Sequence, residues 1–350
     1  MDQQEKREEP LTFADLGITA APKLEEGALG KKRPLKDLEK KEIAFAVISI
    51  LSSLGAIGLA IQRLATTSNG NPDFTFALVI IVNAVFCMYY VFHGLLAERP
   101  YEIIVMVLAT IAVTIYVIVN FILGPKKDVK IARLVLVCIL SPIIVVMGFI
   151  IAKEYHDSGR LIFRMVGADS TLQGFCKNLF LFLGLQKFDL QLNVTMVLLI
   201  LQSGTKVDTE DIVIISVGVP VTIACFALGY LSVRWENKTL GIVYAVSLFL
   251  APAYIIFKVY ESADDLAKTS TTQFQNGTTL EVPTRQNAAL SGTTFTSAGL
   301  ALLIRVLMAI YFVKAVLNFG YGLKYKVYGG RSNLHINSHP TTYNAIDDSS

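Results

Sequence analysis

The sequence predicts an all-α fold, a polytopic integral membrane bundle of eight transmembrane helices. Hydrophobic residues make up 53% of the 350-residue chain and charged residues only 17%, a composition outside the usual range of soluble domains. The apolar residues also gather in stretches of about 20, the number that a helix needs to cross the hydrocarbon core. As helices, these stretches satisfy their own backbone hydrogen bonds where no water is present.

Eight segments have this length and composition, and charged or turn-forming residues bound each of them. The predicted spans are residues 43–65, 75–97, 102–123, 129–152, 179–201, 211–233, 240–260 and 295–319. Together they form one transmembrane domain, residues 42–320, between an N-terminal tail of residues 1–41 and a C-terminal tail of residues 321–350. Both tails are predicted to be mobile, because their polar sequences bury too little apolar surface to order themselves.

Lysine and arginine residues orient the bundle, because the cytosolic flanks of membrane helices are enriched in both. With the N-terminus in the cytosol, the cytosolic flanks carry most of these residues, as in segment 31–41. The short loop with Lys126, Lys127 and Lys130 departs from the rule. The overall bias predicts that both tails are cytosolic.

Residues 261–294 are predicted to form an extracytosolic loop, which carries the N-glycosylation sequence NGT at Asn276. This asparagine is modified only if it faces the lumen. Eight spans that begin in the cytosol put Asn276 in the lumen and a second such sequence, at Asn237, in the cytosol. If the polar segment 179–201 does not cross, the two positions exchange sides, so both topologies stay open at this point.

The predicted span 179–201 is unusual because its centre is polar, with Lys187, Asp189, Gln191 and Asn193. A charge near the centre of a bilayer costs roughly 2.5–3.5 kcal/mol on insertion scales. Lys187 and Asp189 lie about 200° apart around a helix and cannot neutralise each other. Arg305 in span 295–319 lies at a matching depth, roughly 15 Å by helix rise. The sequence therefore predicts an ion pair between Asp189 and Arg305.

Three interpretations of this polar cluster are open. In the first interpretation, the ion pair is purely structural and serves only to fix which helices pack together. Alternatively, Lys187, Asp189, Gln191, Asn193 and Arg305 form a midplane polar site for an ion, a proton or a small polar solute, since ionisable groups inside membranes often mark transport paths. In the third interpretation an interfacial helix over residues 172–185 lets Lys187 reach the lipid headgroups.

Several classes of function lack their sequence signals. The chain has no Gly-rich phosphate loop, no Ser/His/Asp arrangement and no HExxH helix, so no catalytic residue is predicted and the protein is not expected to be an enzyme. Its isolated histidines, such as His93 and His156, predict no metal site, and no cofactor is predicted. The net charge is only +3 without a basic stripe, which argues against a nucleic-acid partner.

The C-terminal tail carries the sequence YNAI, from Tyr343 to Ile346. An exposed tyrosine followed three positions later by a bulky apolar residue has the form of a sorting signal for a clathrin adaptor. The pattern predicts residence in the plasma membrane or the endosomal and lysosomal system.

One segment resembles a known group of proteins. The sequence FRMVGADSTLQ (residues 163–173), followed by LFLFLGLQKFDLQLNV (residues 179–194), is similar to an element of uncharacterised multi-pass membrane proteins from eukaryotes, a family assigned to a domain of unknown function. The resemblance covers about residues 163–200, implies a shared fold and supplies no site residues. In the same segment, capping-box spacing from Ser170 to Gln173 predicts that Ser170 caps a helix.

The function predicted first is that of a transporter or channel-like protein, with the bilayer and an ion or small polar solute as its partners. A membrane receptor or sensor is the second hypothesis, although eight spans depart from the common seven-helix receptor bundle. The third is a non-transporting membrane scaffold that uses its tails and the sorting signal.

Overall fold

The computed structural model describes residues 25–27, 30–66, 72–123, 128–199, 209–249, 252–253, 255–257, 259–260, 263 and 282–329. The α-helices with defined bounds are α1 (Lys40–Thr66), α2 (Pro72–Leu96), α3 (Pro100–Leu123), α4 (Asp128–Ser158), α5 (Arg160–Val166), α6 (Ser170–Leu198), α7 (Thr209–Arg234), α8 (Lys238–Ser247), α9 (Val282–Leu317) and α10 (Leu323–Tyr328). Before them lie a hairpin of β1 (Glu25–Gly27) and β2 (Gly30–Lys32) and a 3-10 turn, Leu35–Asp37. The predicted all-α class is confirmed apart from this small hairpin.

Six helical segments among the described residues are long and apolar enough to cross a membrane. They are Lys40–Thr66, Phe74–Leu96, Pro100–Val119, Ile131–Val166, Ser216–Arg234 and Phe295–Leu317. Each corresponds to a predicted span, and together they support a membrane-embedded protein. The predicted spans 179–201 and 240–260 do not meet the same measure. Polar residues lower the mean hydropathy of the first, and the continuous helix α8 in the second has only 10 residues.

The helices form two groups that α6 joins. Helices α1, α2, α3 and α4 pack against their neighbours in the first group, and α7 packs against α8 in the second. Helix α6 contacts α2 and α3 on one side and α7 and α9 on the other. It is therefore the central helix of the bundle.

The burial of α6 explains how an apolar bundle holds its polar residues. None of the residues from 175 to 199 is exposed, whereas α1, α4, α7 and α9 expose large apolar side chains such as Leu51, Ile139, Ile223 and Leu303. Those apolar faces suit contact with lipid. The polar side chains of α6 contact other helices instead, so they need no lipid-facing position.

The N-terminal segment packs against the ends of several helices. The backbone N–H of Arg33 donates to the Leu96 carbonyl at 2.9 Å, and its guanidinium donates to the Tyr155 hydroxyl near the end of α4 at 2.7 Å. We call this the proximal end of the bundle. It holds Arg33, the α2–α3 turn and the end of α4.

Helices α5, α7, α9 and α10 also meet the proximal end. Helix α10 contacts β2, α5, α6 and α7, and the Lys326 ammonium donates to the Val166 carbonyl at the end of α5. The Glu236 carboxylate, just after α7, accepts from the backbone N–H groups of Gly320 and Lys324 at 3.0 Å each. The ends of α7 and α9 therefore lie together with the start of α1.

The structure differs from the sequence prediction where the tails join the bundle. Arg33 in the predicted N-terminal tail is only 3% exposed, and Leu323 and Val327 in the predicted C-terminal tail are buried. These segments are ordered because they pack against helix ends, a long-range contact that composition does not reveal. Asn276, Tyr343 and Ile346 lie outside the described residues.

The cap of α6 is one residue earlier than predicted. The Asp169 carboxylate accepts from the backbone N–H groups of Thr171 and Leu172, so Asp169 is the N-cap and Ser170 is the first helical residue. Gln173 donates to the Gly167 carbonyl instead of closing a capping box. A carboxylate accepts these hydrogen bonds well because it also complements the positive end of the helix dipole.

Candidate functional site

The predicted ion pair between α6 and α9 is present in the structure. Nη2 of Arg305 lies 2.8 Å from Oδ2 of Asp189, and both residues are 7% exposed. Opposite charges this close offset part of each other's desolvation cost. Matching the depths of the two residues along their spans therefore identified a true contact between segments more than 100 positions apart.

The ion pair lies a short distance along the bundle from the start of α3. Gly184 faces Tyr101 in the first turn of α3, and the Tyr101 Cβ is 3.4 Å from where a Cβ on residue 184 would lie. Asp189 is five residues further along α6, about 7.5 Å by helix rise.

The ion pair lines a cavity of about 520 Å³ among α6, α7, α8 and α9. The second carboxylate oxygen of Asp189, Oδ1, has no hydrogen-bond partner among the described residues, and neither has Oε1 of Gln186. Asn193, Thr222 and Ser247 supply further polar atoms to the wall. A buried carboxylate with one unpartnered oxygen beside a cavity is able to bind a donor group from a solute.

Gly229 on α7 allows the Gln186 side chain, which lines the cavity, to pack closely against the α7 backbone. The Gln186 amide donates to the Phe226 carbonyl at 2.9 Å. A Cβ on residue 229 would lie 2.1 Å from Gln186 Nε2 and 2.6 Å from the Tyr244 ring. Only glycine at this position leaves room for both side chains.

Lys187 does not belong to the Asp189 site, which corrects the predicted five-residue cluster. Its ammonium lies 2.6 Å from Oε1 of Glu102, and the other oxygen of Glu102 is 2.5 Å from Nδ1 of His93. Arg99 also approaches Glu102, at 3.4 Å. Because Lys187 is buried among these groups, it does not reach the lipid headgroups as the interfacial interpretation requires.

Gln191 also faces away from Asp189. It donates to the Asn83 side chain at 2.5 Å, and Asn83 donates to the Thr195 hydroxyl at 3.2 Å. Lys187 and Gln191 share the face of α6 that meets α2 and α3, while Asp189 and Asn193 share the opposite face, as four-residue spacing dictates. The sequence predicts this division by face but not the partners.

The missed partners have ordinary sequence surroundings. Glu102 is in the first turn of α3, where it reads as a boundary residue, yet it is fully buried. His93 is an isolated histidine in the last turn of α2. The only signal that could have found them is the unpaired charge of Lys187 in span 179–201, which requires an acidic neighbour.

A second buried network fixes the proximal end. The Arg33 guanidinium lies 2.8 Å from the Glu42 carboxylate and 3.2 Å from that of Glu98, and Tyr155 donates to Glu42 at 2.5 Å. Burial lowers the pKa of Arg33, but its interactions with Tyr155, Glu42 and Glu98 raise the pKa by more. Arg33 is therefore a permanent cation that ties the N-terminal segment to α1, α4 and the α2–α3 turn.

Among the residues that the structure describes, no group of three or more His, Cys, Asp or Glu side chains is placed to hold a metal ion. The sequence model of one protein family, described as a domain of unknown function (DUF7789), matches residues 29–153 and 166–314. This match extends far beyond residues 163–200, the segment that carries the resemblance. Searches of curated proteins and of solved structures found no match.

Proposed function

We propose that this chain, which belongs to the DUF7789 family, is a transporter or channel-like membrane protein whose solute contacts Asp189 in the cavity among α6, α7, α8 and α9. One observation carries the proposal. Asp189 is buried and lines the cavity, but only one of its carboxylate oxygens is used by Arg305.

The unused oxygen favours binding over a purely structural role. A buried polar atom without a partner costs about 1–3 kcal/mol, and more when it is charged. A pair that served only to lock α6 to α9 would be more stable with both oxygens satisfied. Leaving Oδ1 of Asp189 open to a cavity of about 520 Å³ provides a contact for a solute, at the expense of stability.

We further propose eight membrane crossings with both tails on one side, the cytosol. Helix α6 begins beside α5 at the proximal end, and α7 ends there at Glu236. Since α7 has 26 residues and is about 39 Å long, it begins far from that end, so α6 has to run the length of the bundle to reach it.

The same reasoning supports a crossing between α8 and α9. Helix α8 begins at Lys238, directly after the proximal turn at Glu236, and α9 ends at Leu317 near the same turn. Helix α9 has 36 residues, about 54 Å by helix rise, so its start lies at the distal end. These positions support one more crossing between Ser247 and Val282.

Cys225 provides a native probe of the proposed site because it lines the cavity. The protein would be reconstituted with Cys138, which is exposed on α4, replaced by alanine, leaving the buried Cys87 and Cys176. A transport path predicts that a charged, membrane-impermeant methanethiosulfonate reagent modifies Cys225, and that Cys225→Ser abolishes the modification. If Cys225 reacts only with reagents dissolved in the lipid, the cavity has no aqueous access and the proposal fails.

A further inference from the structure

The polar atoms around the cavity include several hydrogen-bond acceptors. Several of their hydrogens are already used within the protein: the Thr222 and Ser247 hydroxyls donate to the Gly218 and Tyr244 carbonyls, and one of the two amide N–H bonds of Asn193 donates to the Asp189 carbonyl. The Gln186 amide group likewise donates to Phe226. A hydroxyl oxygen keeps lone pairs free when its hydrogen is donated, and a side-chain amide oxygen carries lone pairs and no hydrogen.

The wall therefore presents acceptors to the space it encloses. Oδ1 of Asp189 and Oε1 of Gln186 have no partner among the described residues. One donor, Nε of Arg305, also has none there, but the charge of Arg305 is directed at Asp189. An incoming anion would meet a carboxylate and acceptor oxygens, whereas an incoming ammonium group would find several hydrogen-bond acceptors.

The rest of the wall is apolar. Six of its members are large hydrophobic residues: Leu190, Val197, Val217, Val221, Phe226 and Phe257. Such a surface binds an apolar body and gives a small, fully polar solute little to contact. A simple inorganic cation would leave most of the cavity wall unused.

We infer that the solute is an amphiphilic amine, with a charged N–H donor head on Asp189 and an apolar body against α7 and the α8 side of the cavity. This inference rests on the proposed function, because it names the class of solute for the same site. The ammonium head would complete the coordination of Oδ1 while Oδ2 stays with Arg305. The Asp189–Arg305 pair has no net charge when the cavity is empty, so the ammonium head adds one positive charge, which Oδ1 of Asp189 and Oε1 of Gln186 would offset in part.

A matched set of four compounds tests the inference on the purified protein in nanodiscs. The probes are 4-phenylbutylamine, its trimethylammonium analogue, 4-phenylbutanol and 4-phenylbutyrate, which share one apolar body. The first has both charge and N–H donors, the second has charge only, the third has a neutral donor, and the fourth has the opposite charge. Protection of Cys225 from alkylation is the readout, with Cys138 on α4 as the internal control outside the cavity.

The inference predicts that the amine protects Cys225 at a concentration at least about tenfold lower than any of the other three, as one hydrogen bond to a charged group implies. Asp189→Asn should remove this advantage, while Asp157→Asn, at an exposed site near the end of α4, should keep it. Equal protection by the alcohol would identify a site for neutral alcohols and overturn the inference. Stronger protection by the carboxylate would overturn it as well.

Failure of the proposed function is distinguishable from failure of this inference. If Cys225 does not react with aqueous reagents, transport through the cavity fails, but the same four compounds still rank by the rise that they cause in the unfolding temperature. An amine that stabilises wild-type protein but not Asp189→Asn then supports the inference without transport. Identical shifts for all four compounds would refute it. The ranking in wild-type protein decides the question even if Asp189→Asn does not fold.

Discussion

The contact between Asp189 and Arg305 links α6 to α9 through two charges that are nearly inaccessible to solvent. Replacing Asp189 by Asn or Arg305 by Gln leaves the other charge buried without its partner, which should cost about 3–5 kcal/mol. The double replacement leaves two neutral groups that still form a hydrogen bond. We therefore expect the double variant to be more stable than the sum of the two single effects predicts, by up to about 3 kcal/mol.

Unfolding of the four proteins in the same detergent measures this coupling. Additive losses would contradict the ion pair, because independent side chains give independent effects. A matched control is the double-mutant cycle of Asp189→Asn with Asp157→Asn, which should be additive since Asp157 is exposed near the end of α4.

Gly229 gives a second prediction for a single residue. Gly229→Ala should destabilise the protein by about 1–3 kcal/mol, because the new methyl group overlaps Gln186 and the Tyr244 ring. The matched control is Gly299→Ala in α9, where a Cβ meets nothing within 4 Å and a helix gains about 0.5–1 kcal/mol from the exchange. Equal unfolding temperatures for the two variants would contradict the close approach at Gly229.

Single residues also reveal what local sequence is able to predict. The Asp189–Arg305 contact was predictable because both charges are isolated in apolar spans and have opposite signs. The partner of Lys187 was not, since Glu102 lies at the boundary of a predicted span and the neighbouring Arg99 offers it a local partner. The Glu102 carboxylate becomes available to Lys187 only because α6 extends past the start of α3.

Among the helices, α6 determines how the two halves of the bundle fit together. One face meets α2 and α3 through Lys187 and Gln191, and the other meets α7 and α9 through Gln186 and Asp189. The sequence predicts two polar faces from helical periodicity. It cannot predict that the helix is enclosed on all sides, because enclosure depends on the lateral order of helices, which hydropathy does not encode.

The ion pair between Lys187 on α6 and Glu102 on α3 predicts unequal effects when each of its two members is replaced. Glu102→Gln should destabilise the protein by about 3–5 kcal/mol, because Lys187, His93 and Arg99 share this one carboxylate. Lys187→Met should cost less, since Glu102 keeps its other two partners and the methionine fills a similar volume. Thermal unfolding of both variants measures the difference, and a larger loss for Lys187→Met would contradict the shared arrangement.

The molecule as a whole has a proximal end where Arg33 and Val327 are buried, and the proposed topology places this end in the cytosol. This arrangement predicts that Asn276 carries a glycan in a eukaryotic membrane and that Asn237 does not. Asn237 also caps α8 by accepting from the N–H groups of Thr239 and Leu240. In an electrophoretic mobility assay, Asn276→Gln should remove a glycan-sized shift and Asn237→Gln should leave it. The reverse result would mean that the chain after α6 is inverted.

At the scale of the molecule, the sequence predicts the class of protein. Of its eight predicted spans, six correspond to described helices that are long and apolar enough to cross a membrane. It did not predict the ordered tail segments, because the contacts of Arg33 and Val327 join distant parts of the chain. Composition measures how much apolar surface a segment holds, but not whether a buried residue such as Arg33 finds partners at distant helix ends.

The proposed crossing of α6 underlies the proposed topology, the placement of Asp189 within the membrane and the proposed solute site. It is tested most directly by single cysteines at Ser158, before α5, and at Ser203, after α6, each in a cysteine-free protein in sealed cells. A membrane-impermeant maleimide should label Ser203→Cys from outside, and Ser158→Cys only after the cells are opened. Labelling of both positions from the same side would show that α6 returns without crossing and would contradict the account.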